Sequence, residues 1–208
     1  DAHPLIFAGG PGAYNPEPMA PFVDLFFIGD AEEGLPQMLG ILHDLRGATR
    51  AQKLERLVRD VESVYAPRFY DDNRKPLVDF APAEIRARVV PELKPGFYAE
   101  QPVVPLIETV HQHLSVEIMR GCPRGCRFCE AGAIYKPVRL RAQNDILNQI
   151  EIQQQHVGAD TVSLLSLSTS DYPGIDDLAR KAARRLEPTR AALSVPSLRP
   201  GSISPELL

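Results

Sequence analysis

The segment VEIMRGCPRGCRFCEAGAIYKP, residues 116–137, contains every cysteine of the 208-residue chain. Cys122, Cys126 and Cys129 have the spacing C-x3-C-x2-C. Three thiols cannot all be paired in disulfides within one chain. The proline, glycines and arginines around them are incompatible with three thiols buried in a helix or strand. The segment therefore predicts a loop whose thiols bind a metal centre.

Two kinds of metal centre fit three cysteines. A zinc site needs a fourth ligand, which His111 or His113 could supply, because Cys3His zinc sites are tetrahedral and closed. An iron–sulfur cubane held by three thiolates leaves one iron without a protein ligand, and that iron can chelate a substrate. Residues 119–141 also hold six basic side chains against one acidic residue, Glu130. These cations form either an ordinary solvated face or a surface that neutralises a bound anion or cluster.

The residues on both sides of the cysteines predict a regular β-loop-α-β-α-β order. Asn144 is the expected N-cap of the first helix and Gly158 its stop. Right-handed crossovers would make the three strands parallel, so that the cysteines, SLSTSDY (166–172) and PSLR (196–199) lie at one edge of the sheet. The predicted strands are 114–119, 161–168 and 190–200, and the predicted helices are 144–158 and 174–188.

The N-terminal part predicts a second α/β region. Apolar runs at 4–10 and 24–30 are typical of strands, and residues 32–45 have helical spacing through Leu35, Met38, Leu39 and Leu42. This alternation favours a parallel sheet. A further amphipathic helix, residues 49–64 with Thr49 as N-cap, is followed by proline-rich sequence that confines any strand to a sheet edge.

Composition excludes several classes of protein. The formal net charge of −4 gives no general case for nucleic-acid binding. No run of eighteen apolar residues and no secretory signal is present, so we expect no membrane association and a cytoplasmic location. The chain starts at Asp1 without a methionine, and we expect it to be a piece of a longer protein whose remainder is a partner of this part.

The cysteine spacing after a strand, with Phe128 directly before the third cysteine, resembles the radical S-adenosylmethionine (SAM) superfamily. The resemblance implies a [4Fe-4S] cluster on Cys122, Cys126 and Cys129, with SAM chelated to the fourth iron and Phe128 against the adenine. Reductive cleavage of SAM would give a 5′-deoxyadenosyl radical, with the electron supplied by a reductant of the flavodoxin or ferredoxin type.

Four longer segments resemble the cobalamin-binding radical SAM proteins more closely: residues 8–33, 115–142, 163–175 and 193–204. The resemblance implies an α/β fold in three parts. Residues 1–45 would be the C-terminal part of a Rossmann-like cobalamin-binding domain, 46–110 a proline-rich helical connector, and 111–208 the first βα units of a partial (βα)6 barrel. Gly9 and Gly10 would lie where the backbone approaches the cofactor, or would be simple turn glycines.

The sequence departs from the family pattern at two motifs. The Gly-Gly-Glu motif that holds the SAM amino group is replaced by SLSTSDY, so we expect Ser168, Ser170 or Asp171 to make that hydrogen bond, unless they are ordinary loop residues. By resemblance, Ser197 and Arg199 would hold the SAM carboxylate or ribose. The cobalt-ligating D-x-H-x-x-G motif is absent, so it either lies upstream or does not exist. Because residues 1–45 would supply only part of a Rossmann-like sheet, we expect this chain alone to bind cobalamin weakly or not at all.

Three function classes remain at this stage: a radical SAM enzyme, a zinc-stabilised interaction module and a non-catalytic scaffold. The substrate is not fixed by the sequence. RNA and small molecules are both compatible with it, since a fold does not determine a function.

Overall fold

The computed structural model of the chain describes residues 3–107, 110, 113–202 and 204. The chain divides into two compact units, Asp1–Val90 and Pro91–Leu208. Each unit combines helices with a small sheet and has its own hydrophobic core. The α/β prediction is therefore confirmed. The predicted division at residues 45 and 110 concerns types of domain, and it stays a prediction.

The first unit contains a three-stranded sheet in the order β1-β2-β3. Strand β1 is parallel to β2, as predicted, but β3 is antiparallel to β2 at the sheet edge. Two helices separate β2 from β3, so the chain does not return through a single crossover that would make the strands parallel. The elements are β1 (Phe7–Ala8), β2 (Leu25–Phe27), α1 (Gly34–Asp44), α2 (Arg50–Asp60) and β3 (Val64–Tyr65).

Helix α1 packs through a different face from the one that its leucines predict. Met38 is buried, whereas Leu35 and Leu39 are exposed. The reason is Gly34, one turn before Met38: a Cβ at this position would lie 2.2 Å from Cζ of Phe27. The helix therefore approaches the sheet along the line of Gly34 and Met38, which turns the two leucines outward.

Helix α2 follows its sequence pattern as far as Asp60, but the predicted end at residue 64 is wrong, because Ser63 has φ +68° and Val64 belongs to β3. Thr49 forms a capping box with Gln52, as the N-cap prediction requires. Leu54, Leu57 and Val58 are buried in the core of the first unit. The helix therefore contributes to that core.

The second unit contains a parallel sheet in the order β4-β7-β8. Val116 of β4 lies beside Leu164 of β7, and Ser163 of β7 lies beside Ser194 of β8. The prediction that these strands are parallel is confirmed. The elements are β4 (Leu114–Glu117), β5 (Met119–Arg120), α3 (Ala131–Ile134), β6 (Arg139–Leu140), α4 (Gln143–Val157), β7 (Thr161–Leu165), α5 (Ile175–Leu186) and β8 (Ala192–Ser194).

Helices α4 and α5 cover the core of this sheet. Each fully buried aliphatic side chain contributes about 2 kcal/mol relative to an exposed one. This packing leaves the loops at the carboxyl ends of the strands to carry the polar side chains described below. The fully buried residues of the core are Val116, Ile118, Ile146, Ile150, Val162, Leu164, Leu178 and Ala182.

The N-cap predicted for α4 is wrong by two residues. The helix begins at Gln143 and its N-cap is Ala142, so that Asn144 lies in the first turn. The reason lies in Arg141, whose backbone N–H donates to the Ile118 carbonyl (3.0 Å) and whose carbonyl accepts from the Tyr172 hydroxyl (2.8 Å). These bonds hold Arg141 in the non-helical segment that ends at Ala142, directly before the helix. Gly158, in the left-handed conformation, ends the helix as predicted.

The helices of the described part of the chain do not meet the requirements of a membrane span. Not one of them combines the length and the apolar character that a crossing would need.

Candidate functional site

The cysteines lie in a loop, residues 121–130, that is held at both ends. This cysteine loop follows β5 and leads into α3, and β5 pairs antiparallel with β6 on the far side of α3. Met119 lies beside Leu140, and Arg120 beside Arg139. The single strand predicted over 114–119 is wrong at its end, because β4 stops at Glu117 and Met119 belongs to β5, which pairs with β6 instead of β7. The ladder therefore holds together the two ends of the segment that contains the cysteine loop.

All three thiols are free and reachable from the surface. Cys126 is exposed, and Cys122 and Cys129 are half-buried. The Phe128 side chain is 92% exposed, and the Cys129 backbone N–H donates to the Cys126 carbonyl (3.1 Å). This exposure is incompatible with three structural thiols in a core. It agrees with the predicted surface loop.

The residue before the first cysteine must be glycine. Gly121 has φ +87°, and a Cβ there would lie 2.3 Å from the Tyr135 carbonyl oxygen and 3.0 Å from that of Pro137. Gly125, in the same loop, has open space around its Cβ position and no positive φ. Gly121 therefore fixes the start of the loop against residues 135–138, whereas Gly125 does not.

The cysteine loop supplies three thiol donors, but they are not arranged as a metal site. Within residues 3–107, 110, 113–202 and 204, no group of three or more His, Cys, Asp or Glu side chains is arranged to hold a metal ion. The fit to a metal centre therefore rests on the chemistry of the donor set, since three free thiols in one surface loop suit an iron–sulfur cluster.

The structure disfavours the histidine needed by the zinc alternative. His113 directly precedes β4, whereas the cysteine loop follows the other end of that strand. The four residues of β4 span roughly 13 Å at the usual rise of a strand. His113 is therefore placed away from the thiols. His111 lies outside the described residues.

Asp171 gathers side chains from three loops. Arg124 of the cysteine loop donates from Nε to Asp171 Oδ2 (2.9 Å) and from Nη2 to Oδ1. Ser168 Oγ donates to Oδ2 (2.7 Å). Arg199, beyond β8, donates from Nη2 to Oδ1 (2.8 Å). We call these four residues the Asp171 cluster.

This cluster shows where the sequence-predicted site residues lie. Ser168, Asp171 and Arg199 are brought together with the cysteine loop, at the carboxyl ends of the parallel strands. Ser170 Oγ and Arg199 Nε are buried and have no hydrogen-bond partner among the described residues. Ser197 is exposed, with φ +58°, and no hydrogen bond joins it to the cluster. These positions leave the predicted binding roles untested.

The Asp171 carboxyl group is held as an anion. Its hydrogen bonds from Arg124 lower its pKa well below the usual range, and burial, which acts in the opposite direction, does not offset this effect. Ser168 and the charge of Arg199 lower the pKa further. Asp171 therefore remains negative under all ordinary conditions.

A pH-dependent contribution to stability follows. An unfolded aspartate has a pKa of about 3.9, and the folded value is lower. The contribution of Asp171 is therefore complete above about pH 5 and is lost as the pH falls below about 4. We expect the free energy of unfolding of Asp171→Asn to approach that of the wild type as the pH is lowered from 6 to 3. Urea unfolding of both proteins measures this, and a pH-independent difference would contradict it.

A second polar cluster was missed in the sequence. Glu117, at the end of β4, accepts from Arg120 Nε (3.0 Å) and Nη2 (2.9 Å) and from the Tyr98 hydroxyl (2.7 Å). Arg141 lies over the Tyr98 ring at 3.8 Å and donates to the Glu117 carbonyl (2.7 Å). Tyr98 comes from proline-rich sequence, so neither its spacing nor its surroundings indicated this contact.

The Glu117 carboxylate is also stabilised as an anion. Burial would raise its pKa, but hydrogen bonds from Arg120 and Tyr98, together with the charges of Arg120 and Arg141, lower it below the usual value. Burial and the bond to Glu117 raise the pKa of Tyr98, which stays protonated.

The basic residues around the cysteines are therefore mostly engaged by the protein. Arg120 and Arg124 form ion pairs, and Arg139 and Arg141 are buried. Arg127 and Lys136 are exposed. The alternatives drawn from the sequence, a solvated face or an anion-neutralising surface, both overlooked these internal contacts.

Gly9 and Gly10 lie in the first unit, directly after β1. Gly10 has φ +81° and open space at its Cβ position, whereas a Cβ on Gly9 would lie 3.6 Å from the Phe27 carbonyl oxygen. A cleft of about 780 Å³ in the same unit is lined by residues 58–64 and others but not by these glycines. Their cofactor role stays a prediction.

Comparison with known proteins agrees with the cysteine pattern. Residues 116–208 match the sequence model of the radical SAM superfamily, and residues 1–67 match that of the N-terminal region of radical SAM proteins. Both matches support the radical SAM superfamily. Neither description names cobalamin.

One relative resembles almost the whole chain. It is an uncharacterized protein, MJ0966, of Methanocaldococcus jannaschii, and it is 29% identical over 209 residues. The match includes 98% of this chain and 40% of the relative. The chain therefore spans about 40% of the length of this curated relative.

Proposed function

We propose, from the premise that the chain carries radical SAM sequence at both ends, that it belongs to an enzyme that binds a [4Fe-4S] cluster and SAM. Cys122, Cys126 and Cys129 would hold the cluster. The observation that supports this most directly is the exposed loop with three free thiols, which the Asp171 cluster joins to the carboxyl edge of a parallel sheet. When bound, the cluster supplies the electron that cleaves SAM to methionine and a 5′-deoxyadenosyl radical.

The chain's own residues would bind and orient SAM. Ser170 Oγ and Arg199 Nε are buried polar groups that lack partners among the described residues, so a ligand that satisfied them would remove a desolvation cost. Arg199 suits a carboxylate, because a guanidinium donates in a planar fork. The neighbouring Ser197, which is exposed, would donate a hydrogen bond to SAM at the surface of the site.

Two further roles follow from the exposure of Phe128 and from the hydrogen bonds that Asp171 already accepts. The Phe128 ring projects from the cysteine loop and is 92% exposed, so it is available to pack on the adenine. Both oxygens of Asp171 already accept two hydrogen bonds each, from Arg124, Ser168 and Arg199. Ser170 is therefore a better candidate than Asp171 or Ser168 to contact the SAM amino group.

Anaerobic reconstitution with iron and sulfide tests the proposal. We expect about four irons per chain and absorbance at about 400 nm. For the longer protein that contains this chain, we expect 5′-deoxyadenosine when SAM and a strong reductant are added. Stoichiometric zinc without colour would contradict the cluster and would favour a zinc-stabilised module.

Cobalamin is a separate part of the proposal. Gly9 and Gly10 follow the end of a parallel strand, where α/β folds commonly bind cofactors. We propose that the longer protein binds cobalamin and that this chain alone binds it weakly, since a large cofactor needs a preformed cleft. Titration of both with hydroxocobalamin, followed by corrin absorbance, measures this. Lack of binding by the longer protein would remove cobalamin and leave the radical SAM proposal intact.

The electron donor and the substrate complete the proposal. We propose an acidic electron-transfer protein of the flavodoxin or ferredoxin type as donor, because Arg127 and Lys136 expose positive charge on and beside the cysteine loop. The substrate that we propose for the longer protein is RNA or a small molecule.

A further inference from the structure

We propose that Asp171 is a positioning residue that orders the cysteine loop through Arg124. Arg124 lies midway between Cys122 and Cys126, and its guanidinium reaches both oxygens of the Asp171 carboxylate. A two-point contact of this kind fixes the direction of the guanidinium as well as its distance. It therefore restrains the backbone between the first two cysteines.

The cysteine loop needs such a restraint because its own backbone provides little. Residues 123–128 are exposed and belong to no helix or strand. The Cys129 N–H bond to the Cys126 carbonyl orders the second half of the loop. In the first half, between Gly121 and Cys126, the Arg124 side chain makes the described contact with another loop of the sheet edge.

The surroundings of Asp171 suit a positioning role better than ligand binding. Its side chain is 8% exposed, and each oxygen already accepts two hydrogen bonds. Exposed ion pairs usually contribute little, because water screens the charges and both side chains are mobile. Here the carboxylate is shielded and also held by Ser168 and Arg199, so Arg124 binds to an acceptor that is already fixed.

Two mechanisms predict different results when Asp171 and Arg124 are substituted singly and together. If Asp171 orders the loop through Arg124, loss of either partner loosens the loop, and loss of both has no larger effect than loss of one. If the two residues act only through their charges on the nearby thiols, the two single substitutions change the cysteine loop in opposite directions. One removes a negative charge and the other a positive charge.

Hydrogen exchange of the metal-free protein tests this. The variants are Asp171→Asn, Arg124→Gln and the double variant, with Asp177→Asn as the matched control, since Asp177 is an exposed α5 carboxylate paired with Lys181. We expect the peptide covering residues 121–135 to exchange roughly threefold faster in all three variants, with the control like the wild type. Wild-type exchange in Asp171→Asn, or faster exchange there but not in Arg124→Gln, would overturn the proposal.

Iron incorporation links this inference to the proposed function, on which its second part rests. We expect Asp171→Asn and Arg124→Gln both to take up iron more slowly than the wild type, and equal rates would overturn the role in cluster assembly. If the wild type takes up no iron, the proposed function fails. The exchange experiment, which needs no metal, still decides whether Asp171 orders the loop.

Discussion

If Cys122, Cys126 and Cys129 hold the proposed cluster, Cys126→Ala is expected to lose nearly all of the iron that the wild type binds, from about four irons per chain to almost none, because each thiolate would bind one iron. The expected loss includes SAM cleavage by the longer protein. Cys126 is exposed and lies outside the hydrophobic core, so the second unit should remain folded. Iron analysis after anaerobic reconstitution, together with circular dichroism, measures both results.

Arg127→Ala is the matched control for this substitution. Arg127 is the next residue in the same exposed loop and is not a thiol donor. We expect this variant to keep its iron. Iron at the wild-type level in Cys126→Ala would defeat the assignment of this thiol, whereas loss of iron in both variants would show that the loop responds to any change. Air exposure should also remove the proposed cluster, since its open iron would be accessible to oxidants.

Gly121→Ala is expected to have the second large effect. An alanine would have to keep a positive φ of +87° and to place its Cβ 2.3 Å from the Tyr135 carbonyl oxygen. Backbone strain and this overlap together should lower the free energy of unfolding by at least ~2 kcal/mol, or displace the start of the cysteine loop. Urea unfolding measures the first result, and reduced iron uptake measures the second.

Gly125→Ala provides the comparison within the same loop. Nothing lies within 4 Å of its Cβ position, and its φ is not positive. We expect its stability to stay within about 0.5 kcal/mol of the wild type, as for most surface substitutions. Equal stability of the two alanine variants would show that Gly121 is not required by the contact with residues 135–138.

The regular elements of the second unit could be predicted because local signals and packing agree. The helix stop at Gly158 and the parallel strands follow from residue spacing, and burial of Ile146, Ile150 and Val162 fits the same pattern. Helix α1 shows the limit. The close contact of Gly34 with Phe27 decides which face of the helix is exposed. The spacing of apolar residues along the helix does not indicate this contact.

The candidate site was predictable to a similar extent. The cysteine spacing predicted an exposed loop with three free thiols, and the strand ends predicted which loops would meet. The partners of Arg124 and Arg141 were not predictable, because Asp171 and Tyr98 are distant in sequence and only the fold brings them close. A basic run in a sequence does not reveal which of its charges are neutralised inside the protein.

Because β5 pairs antiparallel with β6, the two ends of the segment between them lie side by side. Residues 121–138 leave and re-enter the two-stranded β5–β6 ladder at adjacent positions, so a segment of different length or sequence could be exchanged there without altering the order of the parallel strands β4, β7 and β8. Such an exchange would need to keep two features: a glycine at the position of Gly121, and an arginine placed to reach Asp171. Chimeric proteins that exchange the whole cysteine loop between relatives can therefore be designed with their junctions in β5 and β6.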